Sequence, residues 1–436
     1  MAAATDDGTS VRATVRQLFA LERDVLVLSA AMFAFSLGFQ MTTRFLPDYL
    51  AALGASGFVI GLFGTAGNLV GAVYPYPGGA ISDRIGSRHA LTLFGLLSTL
   101  GFGLWLVAPL VGTLRVAGLV IEPWVWIFVG LLLAQAWKSL GLGATFAIVK
   151  QAVPGHRLAR GFASTETVRR SAFLLGFVLT GFVLFTGGGA IMPGFLWVLA
   201  LAAAFGAVAT AVQHVFYEAG EDTVGDTFEG IEQLVADLRD LPGPLRPLLV
   251  GDTLVRFANG MVYVFFIIVV TRHLAVDVTV AGLYLAPPVL FSVLLVVEMA
   301  VALFSMVPAA AAAERVGLKP VVAAGFAVYA IFPVLLIFAP ANAAVLAVLF
   351  AVSGLRFAGL PSHKALIVGP AERGAGGRVT GAYYLVRNVV VIPSGAVGGA
   401  LWDFVSPEVA FTVASAVGLL GTGYFVIFGR EFEAYR

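Results

Sequence analysis

Apolar runs of about 20 residues recur along the whole chain, and few folds accommodate such a pattern. A run of that length crosses the roughly 30 Å hydrocarbon core of a bilayer as an α-helix. Charged residues make up 12% of the sequence, which is about half of their usual share in soluble proteins. We therefore predict an all-α membrane protein that crosses the bilayer many times.

Twelve predicted spans are divided evenly by a polar, acidic stretch. They lie near residues 24–46, 57–80, 90–110, 124–149, 162–186, 191–216, 247–271, 280–306, 319–339, 343–368, 380–402 and 407–429. We expect three parts, namely a six-helix bundle over residues 1–216, a linker with an amphipathic helix over residues 217–245, and a second six-helix bundle over residues 246–436. Residues 1–22 are polar, so we expect no cleaved signal peptide.

The distribution of Lys and Arg predicts the orientation of the chain. If the N-terminus is cytoplasmic, most of these residues fall in cytoplasmic segments, and only Arg44, Arg115 and Arg272 fall outside. This bias predicts that both termini and the linker lie in the cytoplasm. We expect the protein to be a multi-pass component of the cytoplasmic membrane.

Several classes of function are excluded by residues that the chain lacks. It has no cysteine, so disulfides and thiolate chemistry are absent. No His, Asp and Glu residues occur at the spacing of metal ligands, and no nucleophile and base occur at catalytic spacing. No basic arm indicates a nucleic-acid partner. We expect no cofactor, no metal and no enzymatic activity.

A charged turn occurs twice in the chain. Residues 79–88 read GAISDRIGSR and residues 310–319 read AAAAERVGLK, so small residue, acid, Arg, Gly and cation follow in the same order. A shift of 218 residues also aligns Lys138 with Arg356 and Gln135 with Ser353, whereas the two turns are 231 residues apart. Two parallel repeats of this kind are typical of transporters that move one bundle against the other around a midplane site.

With these features the chain resembles the major facilitator superfamily of secondary transporters over essentially its full length. The resemblance rests on six plus six spans, the central linker and the turn between the second and third spans. It implies that the turn is a conformational latch. The candidate latch residues are Gly79, Asp83, Arg84, Gly86 and Arg88, with Glu314, Arg315 and Gly317 in the second copy. A plain charged cytoplasmic cap is the alternative, and in either case Gly86 is expected to adopt a positive φ.

Charged and polar side chains inside the spans are candidates for function, because a charge at bilayer depth costs about 2.5–3.5 kcal/mol. The resemblance implies that the first, fourth, seventh and tenth spans surround a central cavity, and all four carry polar stripes. The candidate substrate-binding residues are Lys138, Arg356, Gln135, Ser353, Arg256, Asn259, Tyr263 and Gln40. Lys138 and Arg356 are expected to face each other as counter-charges of an anionic substrate.

Two acidic residues are proton-coupling candidates, Glu298 and Asp252. Asp252 lies four residues before Arg256, so the two can pair on one helix face. Glu298 has no partner on its own predicted helix. It either packs against an arginine such as Arg387 or serves as a proton carrier.

Taken together, these patterns predict a secondary active transporter that moves a small organic solute, anionic or polar, by alternating access. Its expected partners are the solute, the lipid bilayer and protons as a candidate coupling ion, and we expect a monomer. The abundance of Phe, with 35 residues, keeps a proton-coupled exporter of lipophilic compounds open as an alternative. A non-transporting membrane receptor is a further alternative.

Overall fold

The computed structural model describes residues 23–74, 81, 84–116, 118–140, 158–217, 243, 245–368 and 376–431, which are predominantly helical. The helices are α1 (Arg23–Thr43), α2 (Leu46–Ala52), α3 (Gly57–Val73), α4 (Ser87–Val111), α5 (Val125–Leu140), α6 (Leu158–Thr186), α7 (Ile191–Phe216), α8 (Leu245–Val262), α9 (Pro287–Val316), α10 (Leu318–Ile337), α11 (Ala343–Gly354), α12 (Leu360–Val368), α13 (Gly376–Val391), α14 (Ser394–Phe404) and α15 (Pro407–Phe428). Among the described residues, eight helical segments are long and apolar enough to cross a bilayer, and three shorter apolar helices accompany them.

Several of these helices are interrupted. A 3₁₀ turn (Tyr263–Phe265), one α-helical turn (Phe266–Ile268) and a π-helical turn (Val269–His273) continue α8. A 3₁₀ turn (Leu355–Phe357) follows α11 and leads towards α12. Interruptions of this kind occur at membrane depth only where protein or water satisfies the freed backbone groups.

Helix starts follow local side-chain chemistry. The hydroxyl of Ser56 accepts a hydrogen bond from the Val59 amide at the start of α3, and Ser406 caps α15 in the same way. The amide oxygen of Asn342 accepts from two backbone N–H groups at the start of α11. These caps satisfy amides that the first helical turn leaves without partners.

Two short antiparallel hairpins lie in the connections between helices. Strands β1 (Leu114–Val116) and β2 (Leu119–Ile121) pair between α4 and α5, with Arg115 opposite Val120. Strands β3 (Val278–Val280) and β4 (Leu283–Leu285) pair just before α9, with Thr279 opposite Tyr284. The end of the molecule that carries both hairpins is called the hairpin end below.

The helices pack closely both within and between the two parts of the sequence. In the N-terminal part, α4 packs on α5 and α7, and α1 packs on α6 and α7. In the C-terminal part, α15 packs on α8 and α10, and α9 packs on α11. Across the two parts, α6 packs on α9 and α3 packs on α14.

Glycines permit the close approach of α3 and α14. A Cβ placed on Gly399 would lie 2.8 Å from the carbonyl oxygen of Gly57, and one on Gly61 would collide with the carbonyl oxygen of Gly395. Small residues let helix backbones approach in this way inside a membrane, where van der Waals packing drives helix association.

Charged contacts join the two parts of the chain at the hairpin end. The Arg272 Nε lies 2.5 Å from the Asp48 Oδ1, and an Arg272 Nη donates to the Asp48 carbonyl oxygen. The Asp403 carboxylate accepts hydrogen bonds from the Gly57 and Phe58 amides at 3.0 and 2.6 Å. A carboxylate is favourable there because the start of α3 carries the positive end of the helix dipole. These contacts join the two parts of the chain at the hairpin end, one between the π-helical turn and α2 and the other between α14 and α3.

Candidate functional site

Three helix interruptions meet in the interior of the molecule, and each carries a side chain that sequence analysis had marked as polar or charged. Arg44 lies between α1 and α2, Tyr263 begins the 3₁₀ turn after α8, and Arg356 lies in the 3₁₀ turn after α11. Broken helices of this kind form the binding sites of many membrane transporters, because their exposed ends offer unpaired backbone groups. The interruptions therefore mark this region as the candidate site.

The carboxylate of Glu298 lies between two arginines at this point. An Nη of Arg44 lies 3.0 Å from one carboxylate oxygen, and an Nη of Arg356 lies 2.8 Å from the other. The hydroxyl of Ser353 donates to the second oxygen at 2.5 Å. Glu298 has no exposed surface, and the arginines are 7% and 2% exposed. This arrangement, called the Glu298 bridge below, joins α9 to both parts of the chain.

Aromatic rings surround the Glu298 bridge. The guanidinium carbon of Arg44 lies 4.1 Å from the ring centroid of Tyr263, and that of Arg356 lies 4.6 Å from Phe357. Arg170, on α6, also lies against the ring of Phe357 at 4.1 Å. Rings placed over guanidinium groups stabilise the positive charge where water is excluded. The bridge is therefore a preformed cationic site with one carboxylate inside it.

A second buried carboxylate, Asp252, is also surrounded by partners. Arg256 and Arg387 each place a nitrogen 3.2 Å from its oxygens, and the Tyr383 hydroxyl donates to it at 3.1 Å. The His363 Nε2 lies 3.3 Å from the same oxygen. All of these residues belong to the C-terminal part of the chain. We call this group the Asp252 cluster.

Tyr329 lies between the Glu298 bridge and the Asp252 cluster. Its hydroxyl accepts a hydrogen bond from Arg256 at 3.2 Å, and the Arg356 guanidinium lies 5.2 Å from its ring centroid. A cavity of about 10 Å³ touches both arginines, Tyr329 and His363. That volume corresponds to a single water molecule. The two groups of charges thus form one continuous polar region, which lies in the C-terminal part except for Arg44.

The structure differs from the sequence-based expectation at two arginines. Arg44 is expected outside the membrane, but it is buried against Glu298. Arg387 is the example of an expected partner for Glu298, but it pairs with Asp252. The expected pairing of Asp252 with Arg256 is present. The roles of Tyr329 and Tyr383 were missed, because an isolated aromatic residue in an apolar helix carries no distinctive signal.

Four of the remaining candidate substrate residues are less buried than Arg356. Lys138 on α5 is exposed, and its ammonium lies 5.5 Å from the ring centroid of Phe39. Gln40, Gln135 and Asn259 are half-buried. The guanidinium group of Arg356 pairs with Glu298 and also borders the cavity of about 10 Å³ beside Tyr329. The predicted opposition of Lys138 and Arg356 thus stays a prediction.

The two copies of the charged turn share a backbone conformation. Gly86 precedes α4 with φ 80°, and Gly317 precedes α10 with φ 92°, so both occupy the region that favours glycine. The positive φ expected at Gly86 is therefore present. Gly79 and Asp83 lie outside the described residues.

The charged residues of the turns differ between the copies. Arg88 donates from two nitrogens to the carbonyl oxygen of His214 at 2.9 and 2.6 Å, which ties α4 to the end of α7. Arg84, Glu314 and Arg315 are exposed. In the second copy, the Glu431 carboxylate accepts from the first amides of α10. A latch function for these residues stays a prediction.

Solved structures of membrane transporters share this fold. The crystal structure of the nucleoside transporter NupG has a TM-score of 0.68 and 13% identity over 92% of this chain and 98% of that one. The human organic anion transporter MFSD10 (TETRAN) has a TM-score of 0.59 and 16% identity over 92% and 98%. A POT family transporter in complex with 5-aminolevulinic acid has a TM-score of 0.66 and 15% identity over 95% and 96%. The fold is that of a multi-pass membrane transporter.

A model of the Major Facilitator Superfamily matches residues 28–246 of the sequence, which is just over half of the chain. The protein belongs to this superfamily. No curated protein matches the sequence. At the identities found, the similarity to solved structures concerns the fold alone.

Proposed function

We propose that the protein is a secondary active transporter that moves a small organic anion across the cytoplasmic membrane by alternating access. In this proposal the twelve spans form two six-helix bundles over residues 1–216 and 246–436, joined by a linker over residues 217–245. Both termini lie in the cytoplasm, and the hairpin end faces the outside. Membership of the Major Facilitator Superfamily and the transporter fold support this organisation.

The observation that carries the proposal is the Glu298 bridge. Two buried arginines from opposite parts of the chain meet on one carboxylate, so the bridge carries an excess of one positive charge. Such a group is expensive inside a membrane and is retained where it serves an ion or substrate pathway. Because the Glu298 bridge joins both parts of the chain, a solute that binds there affects how the two parts move against each other. An anion is the solute that this charge favours.

The alternative of an exporter for lipophilic cations receives less support. Such a function needs a carboxylate that attracts a cationic compound. Glu298 and Asp252, the two buried carboxylates of the candidate site, are already engaged by two arginines each. The aromatic residues of the site lie against guanidinium groups, and this contact explains their presence without a lipophilic ligand. A membrane receptor is also less well supported, because charges buried between moving parts serve transport directly.

Transport by purified protein in proteoliposomes tests the proposal. We would measure counterflow of radiolabelled 5-aminolevulinic acid, benzoate, succinate and uridine. Accumulation of benzoate or succinate, the two net anions among these solutes, is expected, with a loss of tenfold or more in Arg44→Gln and Arg356→Gln. Arg115→Gln is the matched control, since Arg115 is exposed on β1, and it should transport normally.

Two results would contradict the proposal. The first is accumulation of the neutral uridine with no accumulation of any anion. The second is anion transport that is unchanged in both arginine variants. A parallel Lys138→Gln variant tests whether Lys138 also contributes, as its matching position in the repeat predicts.

A further inference from the structure

The two hairpins at the hairpin end are built from nearly the same sequence. Residues 116–123, in the first hairpin, read VAGLVIEP, and residues 280–287, in the second, read VAGLYLAP. In each copy the Val and the Leu that flank the turn are cross-strand partners, Val116 with Leu119 and Val280 with Leu283. The glycine of each turn has φ 82°, as two-residue hairpin turns require. The two copies therefore share both register and turn geometry.

The internal repeat of the chain does not account for this second occurrence. The two hairpin sequences are 164 residues apart, whereas the repeat aligns positions 218 residues apart. It would align residues 116–123 with residues 334–341, which read VLLIFAPA and form the end of α10 and the turn after it. One hairpin connects α4 to α5, and the other connects the π-helical turn to α9. The same hairpin at two unrelated places indicates that both copies meet the same surroundings.

Each hairpin ends in a tip of exposed apolar side chains. In the second hairpin the base pair, Val278 and Leu285, is half-buried against the hydrophobic core. The next pair on the same face, Val280 and Leu283, is 55% and 56% exposed. Leu119, at the tip of the first hairpin, is 69% exposed. The apolar face of the second hairpin thus extends beyond the surface on which its base packs.

The exposed tips continue the lipid-facing surface of the neighbouring helices. On α4, exposed apolar side chains recur at helical spacing, at Leu93, Leu96, Leu100, Val107 and Leu110. The last of these is separated from the first hairpin by only three residues. Helix α9, which begins just after the second hairpin, likewise exposes Val293, Phe304 and Val307. Such stripes on membrane-spanning helices face the hydrocarbon of the bilayer. Both tips therefore lie close to the end of a lipid-facing stripe.

Aromatic side chains mark the level of the membrane surface at this end. Tyr284, on β4, is 57% exposed, and Trp197, on α7, is 65% exposed. Helix α7 begins at the hairpin end, since a Cβ added to Gly189, two residues before it, would lie 2.8 Å from the Cβ of Ala286 after β4. Trp and Tyr are enriched where hydrocarbon meets water. These positions thus lie near that boundary.

We propose that both hairpins are membrane anchors, whose apolar tips insert into the interfacial layer of the adjacent leaflet. The partner is the bilayer surface itself, and no particular headgroup is required. A two-stranded hairpin has two free edges, and open sheet edges do not occur in hydrocarbon. The tips therefore stay in the interfacial layer, where headgroups and water bind the free N–H and C=O groups. The Val and Leu side chains are removed from water there.

A bilayer explains the duplication better than a protein partner does. The membrane surrounds the molecule, so the same hairpin sequence fits it at any place on the perimeter. A single protein partner would have to contact two parts of the chain that move against each other during transport. With one anchor on each part, both parts remain attached to the leaflet while they move. This inference goes beyond the proposed function, because the anchors would act in the same way whatever solute is carried.

Spin labels at the tips of the full-length protein in phosphatidylcholine nanodiscs test the proposal. The chain has no cysteine, so Leu119→Cys and Leu283→Cys each give one labelled position. Leu100→Cys, on the exposed stripe of α4, is the lipid-facing reference, and free label in buffer is the aqueous reference. Collisions are measured with oxygen, which concentrates in lipid, and with a nickel chelate, which stays in water. The oxygen-to-nickel ratio at both tips should exceed the aqueous reference at least about threefold and stay below that at Leu100.

A substitution beside the first tip provides a matched pair of variants. Val120 is 56% exposed and adjoins Leu119. Val120→Asp should draw the first tip towards water and lower the ratio at the Leu119→Cys label at least about twofold, because a carboxylate is unfavourable among apolar lipid groups. The ratio at the Leu283→Cys label should stay unchanged, since the second hairpin belongs to the other part of the chain. Val120→Leu is the control, and it should leave both labels unchanged.

Four results would overturn the proposal. A ratio equal to the aqueous reference at both tips would place the hairpins in water. A lipid-like ratio at only one tip would contradict the shared role. Few collisions with either reagent would show that protein covers the tips, and magnetic broadening between labels of neighbouring molecules would identify a second copy as the cover. An equal effect of Val120→Asp on both labels would show that the two hairpins are not separate anchors.

Discussion

At the scale of single residues, the two carboxylates of the candidate site, Glu298 and Asp252, differ in what they connect. Glu298 joins Arg44 of the N-terminal part to Arg356 of the C-terminal part. Asp252 joins Arg256 and Arg387, which both belong to the C-terminal part. Movement between the parts must therefore change the surroundings of Glu298 and can leave those of Asp252 intact. We infer a transport role for the first and a structural role for the second.

The structural role of Asp252 predicts a large loss of stability in Asp252→Asn. The substitution removes the charge of the fully buried Asp252 and leaves the partly buried Arg256 and Arg387 without it. Breaking a buried ion pair by removing one partner typically costs about 3–5 kcal/mol. Thermal or denaturant unfolding in detergent should show this loss. Asp277→Asn is the matched control, because Asp277 lies in the exposed hairpin region and bonds only Tyr284 there among the described contacts. An effect of Asp252→Asn as small as that of the control would contradict this role.

The sequence allowed some of these residue contacts to be predicted, and the reasons are physical. Asp252 and Arg256 are four residues apart on one helix, and this spacing fixes their proximity. The contact of Arg44 with Glu298 joins positions 254 residues apart, and no local spacing encodes it. A signal was nevertheless present, since Ser36, Gln40 and Arg44 follow each other at four-residue intervals. Arg44 was misplaced because it lies near the end of its apolar run.

At the scale of helices, interruptions and glycines determine where function and packing occur. The breaks at Arg44, Tyr263 and Arg356 bring three side chains together, although nothing in the hydropathy of the sequence marks them. Turn geometry was easier to predict, because a glycine between charged residues demands a reversal, and Gly86 and Gly317 both show it. Predictions thus succeeded where one residue type dictates the local backbone.

The contact between α3 and α14 predicts opposite results for two glycine substitutions on one helix. Gly61→Ala places a methyl group against the backbone of Gly395, whereas Gly71 has no atom within 4 Å of an added Cβ. Overpacking typically costs about 1–3 kcal/mol. Gly71→Ala should be neutral or slightly stabilising, because Ala favours helix by roughly 1 kcal/mol over Gly. Thermal unfolding of both variants checks this, and equal behaviour would show that α3 and α14 are not in close contact.

At the scale of the whole molecule, three sets of hydrogen-bonded contacts made by charged side chains join the two parts of the described chain, in addition to the packing of α6 on α9 and of α3 on α14. Two of them lie at the hairpin end, where Arg272 bonds Asp48 and Asp403 bonds the first amides of α3. The third is the Glu298 bridge, deeper in the interior. The internal repeat predicted two related parts, but it cannot predict which end is closed. That depends on long-range contacts such as Asp403 with Gly57, 346 residues away.

These contacts predict that opening at the hairpin end is controlled by Asp48 and Asp403. Because the chain has no cysteine, a single reporter can be introduced by Ser292→Cys. Ser292 is 1% exposed and lies where α9 packs on α6. A Cβ added to Gly181 of α6 would lie 3.0 Å from the Cβ of Ser292. Hydrogen bonds to charged groups contribute about 1.5–3 kcal/mol, and each 1.4 kcal/mol changes an equilibrium about tenfold.

Asp48→Asn or Asp403→Asn should therefore raise the rate at which a membrane-impermeant maleimide labels the Ser292→Cys reporter by about tenfold or more. Glu122→Gln is the matched control, because the partner of Glu122 is Thr113 in the same connection, and its loss breaks no contact between the parts. The control should label at the rate of the parent protein. Faster labelling in all three variants would reflect general loosening of the fold. Unchanged labelling in the two aspartate variants would show that closure at this end depends on the apolar packing of α6 on α9, with the charged contacts adding little to it.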